Sequence, residues 1–144
     1  MREIKCQDIV AVVRQLCIEG NCALRCDTVA AFRKAYREEE SPLGQEVLEQ
    51  LLRNAEVAAT QRLPFCQDTG YAVLFLELGQ EVRITGGSLR EAVNEGVRQG
   101  YAEGYLRKSL VRSPIDRVNT GDNTPATLNL DLVPGESLKV SLLV

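Results

Sequence analysis

The run Leu63-Pro64-Phe65-Cys66-Gln67-Asp68-Thr69-Gly70, leading straight into the apolar Tyr71–Leu76, is where this 144-residue chain changes character. Before it, apolar residues recur at helical spacing; after it, short β-prone runs alternate with turns. Pro64 closes the first regime because it offers no amide to a continuing helix. The expected class is α+β. An N-terminal helical segment of about three helices occupies 1–62, and a small, mainly antiparallel sheet with one long, glycine-striped helix occupies 63–144.

Toward the N-terminus, Ile9, Val13, Leu16 and Cys17 fall at i, i+4, i+7 and i+8, one face of a helix that Gly20-Asn21 stops. Asp27 or Thr28 caps a second helix carrying Val29, Phe32 and Tyr36. Ser41-Pro42 opens a third, with Val47, Leu48, Leu51, Leu52 and Ala55 on its apolar face. Toward the C-terminus, Ala72–Leu78, a Gly79-Gln80 turn and Val82–Ile84 read as a hairpin. Ser88-Leu89-Arg90-Glu91 fits a capping box and opens a helix reaching about Ser109. A polar loop, Ser113 to Pro125, precedes two strands, Thr127–Val133 and Ser137–Val144, joined by Pro134-Gly135. Leu138, Val140, Leu142 and Val144 alternate and the sequence stops in mid-pattern. An incomplete domain is the expectation, since an unpaired apolar strand edge invites aggregation.

Seventeen Lys and Arg face twenty Asp and Glu, with no basic stripe, and no apolar run approaches the length of a bilayer span. Nucleic-acid and membrane partners are therefore not expected. No apolar signal core opens the chain, which points to a cytoplasmic protein. The absence of His removes Ser-His-Asp and Cys-His nucleophiles, and any imidazole proton shuttle. Five Cys, an odd number, argue for free thiols or thiolate ligands rather than a disulfide framework. Cys17, Cys22 and Cys26 are spaced C-x4-C-x3-C, which matches neither paired zinc ligands nor ferredoxin runs. Burial as small apolar residues is the simpler reading, with a Cys-only zinc site as its alternative.

Four consecutive positions, Cys66 to Thr69, place a thiol, an amide, a carboxylate and a hydroxyl between a Pro-terminated helix and a strand. Two readings are open on the residues alone. The thiolate could ligate a soft metal while Gln67 and Asp68 orient or protonate a substrate. Equally, Asp68 and Thr69 could simply bond local amides in a capping loop. Gly96, Gly100 and Gly104 form a stripe at i, i+4 and i+8, and each costs about 1 kcal/mol relative to Ala in a helix interior. Close approach of another backbone is the expected compensation. Arg107, Lys108, Arg112 and Arg117 have only Asp116 as an acidic neighbour in the chain's one locally positive segment. Arg107 and Lys108 complement a helix C-terminus, or Arg107, three residues past Gly104 and so near the glycine face, clamps a carboxylate. Asn119–Pro125 is dense in side chains that bond their own backbone and reads as an ordered turn shaping a pocket wall.

Taken together, Pro64-x-Cys66-Gln67-Asp68-Thr69-Gly70, the Gly86–Ala92 segment, Asn94–Tyr101, Gly104–Ser109 and Asn119–Pro125 resemble the N-terminal part of the alpha subunit, or alpha-type domain, of class I fumarate hydratases and the related L(+)-tartrate dehydratases. The resemblance implies a hydro-lyase that hydrates fumarate reversibly to malate at the open iron of a 4Fe-4S cluster. It implies Cys66 as a cluster ligand, Gln67 and Asp68 as substrate contacts with Asp68 also an acid–base candidate, and Arg107 as the residue that binds a substrate carboxylate. It further implies a small dicarboxylate substrate, a beta subunit or C-terminal domain as partner, and an oligomer in the intact enzyme. One thiolate cannot hold such a cluster, so this chain alone is expected to be inactive. L(+)-tartrate dehydration is the alternative activity. A non-catalytic module that binds a partner through a strand edge and the glycine face is the alternative from another class.

Overall fold

The computed structural model describes residues Met1–Val144. Along the chain run β1 (Arg2–Lys5), α1 (Cys6–Cys22), α2 (Cys26–Glu38), α3 (Pro42–Gln61), β2 (Val73–Gly79), β3 (Val82–Thr85), α4 (Leu89–Glu103), β4 (Thr127–Val133) and β5 (Leu138–Leu143). The α+β class holds, with the three N-terminal helices and the long fourth one in place. The Ser41 side chain accepts from the Gly44 amide with Pro42 in the first helical turn, as the Ser-Pro pair predicts. Four-residue β1 carries too little alternation to be read from sequence.

The strand pairing is mixed rather than mainly antiparallel. β2 is the centre of a three-stranded sheet, parallel to β4 and antiparallel to β5, while β3 pairs in parallel with β1. The expected β2–β3 hairpin does not form, because both edges of β2 are already occupied. Backbone bonds from Gly79 to Ser137 (2.8 Å), Gln80 to Val133 (2.9 Å) and Glu81 to Gly135 (3.1 Å) tie the end of β2 to the β4–β5 turn. From there the chain is handed on to β1.

One buried cluster joins Ile9, Val13 and Cys17 of α1, Leu74 and Leu76 of β2, and Val93, Val97 and Tyr101 of α4. The glycine stripe is what brings α4 onto α1. A Cβ on Gly96 would lie 2.6 Å from the Val13 Cβ and 2.9 Å from the Val10 carbonyl oxygen, and one on Gly100 would lie 2.7 Å from the Cys17 Cβ. This face is filled by α1, so it is not available to a partner.

Helix α4 stops at Glu103 instead of reaching Ser109. Tyr105 adopts the left-handed region at φ 54, the Leu106 amide reaches back to the Tyr101 carbonyl (3.1 Å), and Leu106 turns into the core. Ser88 occupies the N-cap as the capping box predicts, but without a side-chain cap bond. The consequence for Arg107 is direct: it lies on the extended segment after the helix, not on the glycine face.

At one end of the three-stranded sheet, the start of β2, the start of β4 and the end of β5 meet, with Val73 opposite both Thr127 and Leu143. The Leu63–Ala72 loop, the Asn119–Ala126 turn and Val144 are thereby gathered there.

Candidate active site

The Phe65–Gly70 loop is fastened at both ends and free in the middle. At its start, the Phe65 amide donates to the Asn21 carbonyl at the end of α1 (3.0 Å), and its carbonyl accepts from the Asn54 amide on α3 (2.8 Å). At its end, the Tyr101 hydroxyl donates to the Thr69 carbonyl (2.6 Å), and the Asn123 side chain donates to the Gly70 carbonyl (3.1 Å). Gly70 has two reasons to be glycine. Its φ is +57, and a Cβ there would stand 3.2 Å from the Val144 carbonyl carbon. Between these fixed ends Cys66, Gln67 and Asp68 are all exposed, whereas Thr69 is buried.

Within the loop the Asp68 amide donates to the Cys66 Sγ (3.4 Å), and the Gly70 amide donates to the Asp68 Oδ1 (3.1 Å). The second bond is an Asx turn, the local capping that the residue types allow. It occupies one carboxylate oxygen and leaves the other without a bond in the chain. Capping and chemistry are thus compatible here, because the turn orients the very carboxylate that chemistry would use.

Arg107 is brought to this loop by Thr69, whose hydroxyl donates to the Arg107 carbonyl across 38 residues of sequence (3.0 Å). The Arg107 side chain is exposed and takes part in no ion pair of the chain; Lys108, Arg112 and Arg117 are equally unpaired. A guanidinium left without a carboxylate on this chain is disposed to accept one from a ligand, bidentately.

Helix α4 holds the surrounding turn with three residues at i, i+4 and i+7, one face distinct from the glycine stripe. The Asn94 Oδ1 accepts from the Ala126 amide (3.0 Å), Arg98 pairs with Asp122 (3.1 Å) and with Glu95, and Tyr101 takes the loop carbonyl. Desolvation works against the Asp122 carboxylate, but bonds from the Thr124 hydroxyl and amide and from Arg98 hold its pKa below the usual range. Burial, and secondarily the neighbouring Cys17, push the Tyr101 phenol well above its ordinary value, so it remains a donor. Asn119–Pro125 is the ordered wall its composition predicts: the Asn119 Oδ1 accepts from Gly121, and the Asp122 Oδ1 accepts from the Thr124 amide and hydroxyl.

Sequence reading does not single out Tyr101, Asn123, Asn21 or Asn54 as loop anchors. The spacing of Asn94, Arg98 and Tyr101 carries a helical period, but their partners are 24 to 32 residues away and leave no local trace.

All five cysteines are free, with Cys6, Cys17 and Cys22 buried and Cys26 and Cys66 exposed. Nowhere do three or more Cys, Asp or Glu side chains gather as a ligand set. An iron–sulfur cluster needs several soft donors together, and these side chains bring no such set; on the loop the exposed Cys66 thiol offers a single donor. No helix is long and apolar enough to cross a membrane.

Comparison with known proteins bears on residues across most of this architecture. The family profile described as Fumarate hydratase (Fumerase) matches residues 10–144. "Fumarate hydratase class I, anaerobic" of Escherichia coli (strain K12) is 42% identical over 93 residues, 62% of this chain and 17% of that protein. "Fumarate hydratase 2" of Leishmania major is 38% identical over 114 residues, 77% of this chain and 20% of that protein. The "Putative L(+)-tartrate dehydratase subunit alpha" of Methanocaldococcus jannaschii is 31% identical over 119 residues, 79% of this chain and 41% of that protein. The chain thus spans well under half the length of each of these relatives.

Proposed function

Because the chain belongs to the fumarate hydratase (Fumerase) family, we propose that it forms one wall of a hydro-lyase site that interconverts fumarate and malate. The observation that supports this is the bond from the Thr69 hydroxyl to the Arg107 carbonyl, which ties the backbone of Arg107, an exposed residue without an ion-pair partner in the chain, to the loop that carries a thiol, an amide and a carboxylate. Arg107 binds one carboxylate of the dicarboxylate substrate. Gln67 donates its amide to the substrate, and Asp68, fixed by the Gly70 amide, uses its other oxygen to orient the substrate or to hold the proton that leaves or joins carbon.

Cys66 is the ligand this chain gives to a 4Fe-4S cluster. Such a cluster with an open iron supplies a Lewis acid for a substrate carboxylate and for hydroxide, a poor leaving group. The remaining ligands come from outside these 144 residues, a beta subunit or C-terminal domain is the partner, and the intact enzyme is an oligomer. A reducing compartment, the cytoplasm, suits five free thiols. With one donor at the site, the 144-residue chain by itself, reconstituted anaerobically with iron and sulfide, is expected to hold no stable cluster and to show no turnover; stable cluster and turnover together would overturn this.

The test in the assembled enzyme is Arg107→Lys. Losing a bidentate, charge-assisted grip of about 1.5–3 kcal/mol corresponds to a fall in kcat/KM of roughly 10- to 150-fold. An unchanged kcat/KM refutes the assignment. The match to the Methanocaldococcus jannaschii protein supports L(+)-tartrate as the second reading for the substrate, and parallel assays with fumarate and L(+)-tartrate separate the two.

A further inference from the structure

We infer that Asn123 is a positioning residue for this reaction: it holds the segment after Arg107 at a fixed spacing from the loop that carries Gln67 and Asp68. The inference rests on the roles proposed for Arg107 and Asp68 and assigns Asn123 the task of keeping them in register.

Asn123 is wholly buried, at 0% exposure, and sits at φ 60. The left-handed region is one that Asn tolerates far better than β-branched or bulky residues. Its Oδ1 accepts from two consecutive amides, Ser109 (2.8 Å) and Leu110 (2.9 Å), and its Nδ2 donates to the Gly70 carbonyl (3.1 Å). Two N–H groups facing one atom identify that atom as the oxygen, which fixes the orientation of the amide. One side chain therefore joins the end of the reactive loop to the segment that begins two residues past Arg107.

The Thr69 hydroxyl makes the companion bond to the Arg107 carbonyl. The backbone is consequently held at the Arg107 carbonyl and again at the Ser109 and Leu110 amides just beyond it, while the Arg107 side chain makes no ion pair within the chain. A dicarboxylate gripped at one end and deprotonated beside the other needs that spacing kept. Misplacement by about 1 Å, even from a change remote from the chemistry, can cost on the order of 100-fold in rate. Three satisfied bonds on a buried amide between two site segments, in a backbone conformation that restricts its replacement, are what such a brace requires. Packing alone asks for no amide there.

The test is a double-mutant cycle in the assembled enzyme, with fumarate as substrate. Asn123→Gly keeps the left-handed backbone and removes all three bonds. It is expected to lower kcat/KM by about tenfold or more in the otherwise unaltered enzyme, and by less than about threefold in an Arg107→Ala background, where no guanidinium remains to be placed. Equal factors in both backgrounds are the mark of a purely structural role and overturn the inference. If Arg107→Ala alone leaves kcat/KM unchanged, the role of Arg107 fails first, and visibly, before Asn123 is tested. Should Asn123→Gly not fold, Asn123→Asp retains both acceptor bonds and replaces the donation to Gly70 with an oxygen that faces the Gly70 carbonyl. The same non-additivity is expected of it, and additivity counts against the brace.

Discussion

Cys17 and Cys66 carry the same thiol in opposite surroundings, and the contrast is measurable. Cys17 is wholly buried between α1 and α4, and burial pushes its pKa up to about 12, whereas Cys66 stands exposed on the reactive loop. Brief alkylation of the native chain with iodoacetamide is expected to modify Cys66 and Cys26 and to spare Cys17 until denaturant is added; mass spectrometry of the peptides reads this out. The pH dependence follows from the same burial. A folded-state thiol pKa raised above the unfolded value of about 9 leaves the native state holding a proton that the unfolded chain loses. The stability tied to Cys17 is therefore fully present below pH 9 and declines between about 9 and 12, with a slope near 1.4 kcal/mol per pH unit. Urea midpoints across that range check it, and a Cys17→Ala chain should lack this component. At this scale the sequence is legible where chemistry is dense. Cys66 to Thr69 stand out because core packing explains no such run, and the periodicity of α1 marks Cys17 as apolar. Asn123 and Tyr101 do not stand out, since their partners lie 13 to 53 residues away and are defined only by the fold.

Two faces of α4 do separate work. Gly96, Gly100 and Gly104 admit α1, while Asn94, Arg98 and Tyr101 hold the turn and the reactive loop. Replacing Gly100 with Ala would gain about 1 kcal/mol of helix propensity in isolation. Here its Cβ meets the Cys17 Cβ at 2.7 Å and the Arg14 carbonyl oxygen at 2.9 Å, neither of which is a flexible end. Gly100→Ala is expected to destabilise by about 1–3 kcal/mol net, as overpacking does, and a urea midpoint that rises instead would refute close approach as the reason for the stripe. By contrast Ser88→Ala should cost well under about 1 kcal/mol, because the Ser88 side chain makes no cap bond. The stripe is legible in the sequence because three aligned glycines are locally unfavourable and demand a cause. The end of the helix is not, because Arg107 and Lys108 are good helix formers and Gly104 reads as the third member of the stripe, whereas it is the C-cap, after which Leu106 turns into the core. The strand pairings are also hidden: β2 and β3 are adjacent in sequence, and local turn chemistry says nothing of β4 and β5 claiming both edges of β2 first.

Across the whole molecule, stability is unevenly spread. Helix α2 buries no residue and α3 buries only Ala55 and Ala58, with an open groove of about 660 Å³ between them. The apolar cluster lies instead among α1, α4 and β2. Amide hydrogen exchange is expected to be fastest, among the helices, in α2 and the first half of α3, and slowest in α4 and β2. Uniform protection would contradict this distribution. The reactive loop bridges the two regions, tied to α3 through Asn54 and to α1 through Asn21, but to the stable core through Tyr101 and Asn123. The motifs at 64–70, 104–109 and 119–125, apart in sequence, meet at one end of one sheet because the start of β2, the start of β4 and the end of β5 coincide there. That convergence makes Asp68 the central claim. In the assembled enzyme, the steady-state rate of fumarate hydration should fall by about 100-fold or more in kcat on Asp68→Asn, with KM changed far less, as loss of an acid–base group does. A kcat within about threefold of the unaltered enzyme contradicts the account.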